Sequence, residues 1–93
     1  MEIGSIRHKA LRKFAETGKP KGLMEADRLM RMLAYIGAAE GIDELAVPPN
    51  FGFHALIGDR DGYYAMKVTK NWRLTFTLID DTTIADLDLE DYH

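Results

Sequence analysis

Near residue 53 the hydrophobic period of the chain changes from helical to strand-like, and this constrains the fold more than any other feature. Before that point apolar residues recur at helical spacing. Ala10, Leu11, Phe14 and Ala15 do so within 8–16. Leu29, Leu33 and Ile36 form a stripe within 24–39, widened by Ala26, Met30 and Met32. Gly18-Lys19-Pro20-Lys21-Gly22 separates the two helices, and Gly41 is placed to stop the second. After that point the pattern alternates. Trp72, Leu74, Phe76 and Leu78 point one way, and Arg73, Thr75 and Thr77 the other. Strands are predicted over 53–57, 63–69, 72–79 and 83–89, after a small strand within 2–6. Glycine- or aspartate-rich turns lie at 58–62 and 80–82, with a tight turn at Lys70-Asn71. In the last strand Ala85, Leu87 and Leu89 are expected inward, Asp86 and Asp88 outward. Residues 42–52, with Pro48-Pro49, read as a loop.

Helices first and a hairpin meander second give an α+β fold: two N-terminal helices packed on a mostly antiparallel, twisted sheet. Residues 1–93 leave room for one domain and one core. The expected core is Leu11, Phe14, Leu29, Leu33, Ile36, Trp72, Leu74, Phe76 and Leu87. The other sheet face is left polar, carrying His54, Arg73 and the outward Thr and Asp residues. His54 shares its parity with Leu56, so an edge or bulge position is expected for it.

Cysteine is absent, which excludes disulfides, thiolate-bound zinc and thiol catalysis. No long apolar run or signal-peptide pattern is present, so a cytoplasmic protein without a membrane partner is expected. The net charge of −3 conceals an asymmetry. Residues 1–31 hold eight Lys or Arg and four acids, net +4; residues 32–93 hold four and eleven, net −7. The basic third suits contact with phosphate as well as solvation of helix faces. No nucleotide fingerprint occurs, and no histidine pair has metal-ligand spacing, so no cofactor is expected.

The polar face holds the residue types that metal-free RNA cleavage needs. A base must take the 2′-OH proton, a cation must stabilise the phosphorane, and an acid must protonate the leaving 5′-oxygen. His54, Arg73, Tyr92 and His93 are of these types. For Arg73 the bland alternative is a surface ion pair with Asp86 or Asp88, worth under about 1 kcal/mol.

Three segments carry a resemblance: Phe53-His54-Ala55-Leu56-Ile57-Gly58-Asp59-Arg60-Asp61-Gly62, then Asn71-Trp72-Arg73-Leu74-Thr75-Phe76, then Glu90-Asp91-Tyr92-His93. They resemble the HigB toxins, the plasmid-maintenance killer-protein branch of the RelE/ParE superfamily, over nearly the whole chain. The resemblance implies a RelE/ParE-like microbial RNase fold. It also implies a type II toxin that acts as a ribosome-dependent endoribonuclease on mRNA. A HigA-type helix-turn-helix antitoxin would be its partner, with operator DNA reached only through the antitoxin complex. His54 then matches the catalytic histidine, Arg73 the phosphate-stabilising arginine, Asp91 and Tyr92 the acidic-Tyr pair, and His93 the terminal histidine.

One position departs from the family pattern: Ile57 stands where the family often has a catalytic lysine. Losing one electrostatic stabiliser costs on the order of 10²–10³ in rate. Arg60, Lys67 and Lys70 are the nearby cations available to bind substrate in its place. The alternative reading is therefore a catalytically weak toxin-fold protein that works through antitoxin binding and operon autoregulation. The gyrase-poisoning branch of the superfamily lacks the RNase residues, and the joint presence of His54, Arg73 and Tyr92 argues against it.

Overall fold

The first helix, α1 (Lys9–Thr17), is closed at both ends by local chemistry. His8 caps its start, with Nδ1 accepting the Leu11 N–H at 3.2 Å. Gly18 ends it in the left-handed region (φ 76°), its N–H donating to the Phe14 carbonyl. Leu11 and Phe14 are buried. The computed structural model describes residues 1–92.

Helix α2 (Ala26–Ala38) starts two residues later than its periodicity suggests, after Glu25 in the left-handed region. It buries Leu29, Met32 and Ile36. Met30 is 55% exposed, so the apolar stripe is narrower than predicted, and Leu33 is half-buried at its margin. The Met1 amino group donates to the carbonyls of Ile36, Gly37 and Ala39 at the helix C-terminus. A cation there also complements the helix dipole. The stretch expected as loop contains a third helix, α3 (Ile42–Leu45), with Leu45 fully buried. The Tyr35 hydroxyl lies 3.1 Å from the Glu44 and Leu45 carbonyls and 3.2 Å from that of Val47, tying this segment to α2.

The sheet has five strands: β1 (Glu2–Ile3), β2 (His54–Ala55), β3 (Tyr63–Lys67), β4 (Trp72–Asp80) and β5 (Thr83–Asp91). Their order is β1-β5-β4-β3-β2. Among the described residues the β1–β5 strand pair is parallel, as is the isolated Ile6–Leu87 bridge, and the other strand pairs are antiparallel. The architecture is therefore α+β, a mixed and mostly antiparallel sheet with helices before it. Strand β2 is a two-residue edge strand, shorter than the predicted 53–57, and a 3₁₀ turn (Gly58–Arg60) follows it.

Strand β5 departs from simple alternation. One residue, Phe76, separates Thr75 from Thr77 on β4, while two, Asp86 and Leu87, separate their partners Asp88 and Ala85. The extra residue is a bulge at Asp86, whose φ is 54°. It corrects the expected inward set: Ile84, Leu87 and Leu89 face the helices, and Ala85 shares a row with Thr77 on the other face. Ser5 Oγ accepts the Asp86 N–H at 2.8 Å and Arg7 pairs with its carboxylate at 3.5 Å, so the bulge is held from the N-terminal segment.

The core joins Leu11, Phe14, Leu29, Met32, Ile36 and Leu45 from the helices to Met66, Leu74, Phe76, Ile84, Leu87 and Leu89 from the sheet. Trp72, expected within the core, is half-buried and packs against it from the first position of β4. Phe53, Tyr64 and Phe76 stack in series, with centroids 5.5 and 5.9 Å apart, and fasten the edge beside β2 to the core.

Candidate active site on the polar face of the sheet

Paired residues on neighbouring strands share a face. Register gives the face away from the helices three rows. His54, Ala65, Thr75 and Asp88 form one; Lys67, Arg73 and Glu90 a second; Tyr63, Thr77 and Ala85 a third. His54 and Arg73 are therefore on the same face. His54 is two strand spacings from Thr75, roughly 10 Å, and Arg73 lies one two-residue step, about 7 Å, along β4.

His54 occupies the exposed edge strand. Its Nδ1 is 2.9 Å from the Gly52 carbonyl oxygen. That oxygen can only accept, so Nδ1 carries the hydrogen and Nε2 of the neutral ring keeps its lone pair. The ring is oriented by a loop carbonyl, with its basic nitrogen on the far side. Gly52 itself sits at φ 66°, where its missing Cβ relieves strain and where Asn50 Oδ1 accepts its N–H at 3.2 Å.

Arg73 makes no ion pair with Asp86 or Asp88; Asp86 pairs with Arg7, and Asp88 Oδ1 accepts the Leu89 N–H. Its Nη1 donates to the carbonyls of Thr69, Lys70 and Trp72 at 2.8, 3.2 and 3.2 Å. The guanidinium lies over the Tyr92 ring, 5.3 Å from its centroid. The β3–β4 turn thus holds one arm of the fork, and a π face supports the plane. Neutral carbonyls satisfy the arm without cancelling its charge.

Between His54 and Arg73 the face is covered rather than open. Arg60 reaches from the 3₁₀ turn to Glu90 on β5, and the Thr75 hydroxyl donates to the same carboxylate. Thr75 is 1% exposed beneath them. The Arg60 hydrogen bonds hold the Glu90 carboxyl below the usual carboxylate range, aided by Thr75 and opposed by partial burial. Arg60 also lies over the Tyr63 ring at 5.2 Å. Lys67 is exposed in the Arg73 row, and Lys70 is exposed in the turn. Ile57 is 86% exposed, just before the 3₁₀ turn.

At the chain end, Tyr92 comes to Arg73. Asp91 is in register with Trp72, whereas Glu90 is in register with Arg73. His93 lies outside the described residues. Glu90 and Thr75 are polar-face groups to which the sequence motifs give no role. Alternation does place them outward, Thr75 with Arg73 and Glu90 in parity with Asp88; what it does not show is that Arg60 reaches across to join them. Among the described residues, no group of three or more His, Asp and Glu is placed to hold a metal ion. No helix among them is long and apolar enough to cross a membrane.

Comparison with known proteins gives concordant matches. A family model described as the RelE-like toxin of the type II toxin-antitoxin system HigB matches residues 4–93. The chain is 38% identical to Endoribonuclease HigB of Proteus vulgaris over 93 residues, covering 98% of this chain and 99% of that protein. It is 30% identical to Toxin HigB-1 of Vibrio cholerae serotype O1 over 82 residues, covering 85% and 86%.

Proposed function

Because the chain belongs to the family of RelE-like HigB toxins of type II toxin-antitoxin systems, we propose that it is an endoribonuclease that cuts messenger RNA on the ribosome by metal-free acid–base chemistry. Residues 1–93 act as one toxin domain. The observation that carries the reading is the hydrogen bond from His54 Nδ1 to Gly52, on the face that also bears Arg73. It leaves a basic nitrogen at the exposed edge and a preorganised guanidinium across the sheet.

In this reading His54 Nε2 takes the proton of the 2′-OH, and the 2′-oxygen attacks the adjacent phosphorus. Arg73 stabilises the negative charge that develops on the phosphorane oxygens. Tyr92, with His93 of the same terminal segment, serves the leaving 5′-oxygen, which must gain a proton as its bond to phosphorus breaks; Asp91, in register with Trp72 on the other face, acts only through the placing of that segment. Lys67 and Lys70 hold flanking phosphates. Arg60 is the cation nearest in sequence to the position where Ile57 replaces the lysine, and it takes that role by exchanging Glu90 for a phosphate. The partner that silences the toxin is a HigA-type helix-turn-helix antitoxin. Operator DNA is bound through the antitoxin complex, and the protein works in the cytoplasm.

The test is cleavage of a short message on programmed ribosomes beside the same RNA free in solution. Cutting is expected on the ribosome only, and His54→Ala and Arg73→Ala each lose about 10²-fold or more. Equal cutting of free RNA would remove ribosome dependence; undiminished cutting by both variants would remove the site.

A second reading has one specific support, the exposed apolar Ile57 at the family's lysine position. Here the protein binds its antitoxin and represses its operon with little catalysis. Absence of cleavage together with tight antitoxin binding would favour it.

A further inference from the structure

On the helical side of the molecule, away from the polar sheet face, the start of α1 and the α1–α2 turn enclose a cleft of 640 Å³. It is lined by His8, Lys9, Ala10, Lys13, Lys19 and Lys21. We propose that this cleft binds the phosphodiester backbone of an RNA, at a second site separate from the one that cuts.

Three observations converge. The lining holds four ammonium groups and no carboxylate, in a chain whose acids outnumber its Lys and Arg by fifteen to twelve. The ion pairs among the described residues are Arg7–Asp86 and Arg60–Glu90, so none of the four lysines is in one. Next, the charge sits where folding disfavours it. Lys9 and Lys13 are like charges four apart on one helix face, and Lys9 is at the positive end of the α1 dipole with no acid in the first turn. Solubility and helix stability both call for acids here. Finally, every polar side chain in the lining is a donor. The Leu11 N–H occupies His8 Nδ1, so in the neutral ring the hydrogen is on Nε2. A wall of donors without an acceptor fits a ligand with acceptors only, as phosphate has.

A protein partner fits less well, because such interfaces are anchored by aromatic or branched aliphatic side chains, and the apolar surface of the cleft comes from Ala10 and lysine stems instead. Leu11 and Phe14, on the other side of α1, are already in the core. An RNA backbone needs only ammonium groups at phosphate spacing and no apolar anchor.

The experiment is fluorescence anisotropy of a labelled 20-base-pair RNA duplex with the full chain, across a salt series. The double variant Lys13→Glu/Lys21→Glu is measured beside Lys13→Gln/Lys21→Gln, and a thermal melt checks that each is folded. Both variants are expected to bind at least tenfold more weakly. Each lysine–phosphate pair removed also flattens the dependence of log K on log salt, by nearly one in slope for B-DNA and comparably for an RNA duplex. Unchanged affinity and slope in the folded Gln variant would overturn the proposal. So would a polyglutamate peptide that binds as tightly as the duplex, which would assign the cleft to an acidic protein. The inference is separable from the nuclease reading. A protein that cuts message but binds the duplex equally with and without these lysines refutes the cleft alone. A protein that binds through them but cuts no message refutes the nuclease alone.

Discussion

Arg60 and Glu90 join the 3₁₀ turn to the last strand through two parallel hydrogen bonds, Nη1 to Oε1 at 3.1 Å and Nη2 to Oε2 at 2.7 Å. The pair lies over Thr75, whose hydroxyl donates to the same carboxylate. It holds the segment after His54 and Ile57 against the strand that leads to Tyr92. Arg60 is 41% exposed and Glu90 26%, so solvent screens part of the attraction.

The pH dependence of stability follows. The Glu90 carboxyl is held below its ordinary value, chiefly by the Arg60 hydrogen bonds. Its contribution is complete above the unfolded carboxylate pKa of about 4.3 and is lost as pH falls through the lower folded value. Glu90→Gln is expected to cost about 1 kcal/mol at pH 7. The gap between variant and parent should close in the acid range below the unfolded value. Urea midpoints of the two proteins at pH 7 and pH 3 check this. A gap that stayed constant would mean that the ion pair adds nothing.

Phe76 is fully buried between the aromatic series from Phe53 and the helical layer. Phe76→Ala is expected to cost about 3–5 kcal/mol. Out of a total stability of roughly 5–15 kcal/mol, that is a large drop in melting temperature. A variant that melts with the parent would contradict the core assignment.

The bulge offers a backbone test. Asp86 holds φ 54° without being glycine, which costs a β-branched residue more than it costs Asp. Asp86→Val is expected to destabilise by about 1–3 kcal/mol. Asp86→Gly relieves the backbone but removes the ion pair with Arg7, so it should stay within about 1 kcal/mol of the parent. Equal melting temperatures for the Val and Gly variants would argue against the bulge.

Much of this is legible in the sequence, and the exceptions share a cause. The alternation from Trp72 to Leu78 identifies β4 because every second residue meets the helices. The stripe of Leu29 and Ile36 identifies α2 in the same way. Helix α3 is hidden because four residues with one buried side chain, Leu45, carry no period. The inward set of β5 differs from simple alternation because one extra residue at Asp86 inverts the parity of all that precedes it. At the site, residue types point to His54, Arg73 and Tyr92. The interactions that orient or cover them are tertiary: Gly52 under His54, the turn carbonyls under Arg73, and Arg60 reaching Glu90 thirty residues away. No local pattern encodes such pairs.

Ile57 tests the electrostatics of the site. Its side chain is 86% exposed, so Ile57→Lys is expected to change stability by no more than about 0.5 kcal/mol. An ammonium at position 57, three residues along the chain from His54, should raise cleavage on programmed ribosomes by at least about tenfold, or roughly 1.4 kcal/mol of barrier. Adding Arg73→Ala to that variant should abolish the gain. Equal and measurable rates for Ile57→Lys and the parent would show that Arg60, Lys67 or Lys70 already supplies the charge; equal absence of cleavage would mean that the site is dead for another reason.

The most direct measurement concerns the ends of the cut message. A message is placed on programmed ribosomes with either ribose or a single 2′-deoxyribose at the scissile position. If His54 deprotonates the 2′-OH for attack on the neighbouring phosphorus, the ribose message yields a 2′,3′-cyclic phosphate and a 5′-hydroxyl. The deoxy message then stays intact, and His54→Ala cuts the ribose message about 10²-fold or more slowly. Cleavage of the deoxy message, or a product with a 5′-phosphate, would contradict 2′-oxygen attack and with it the role given to His54.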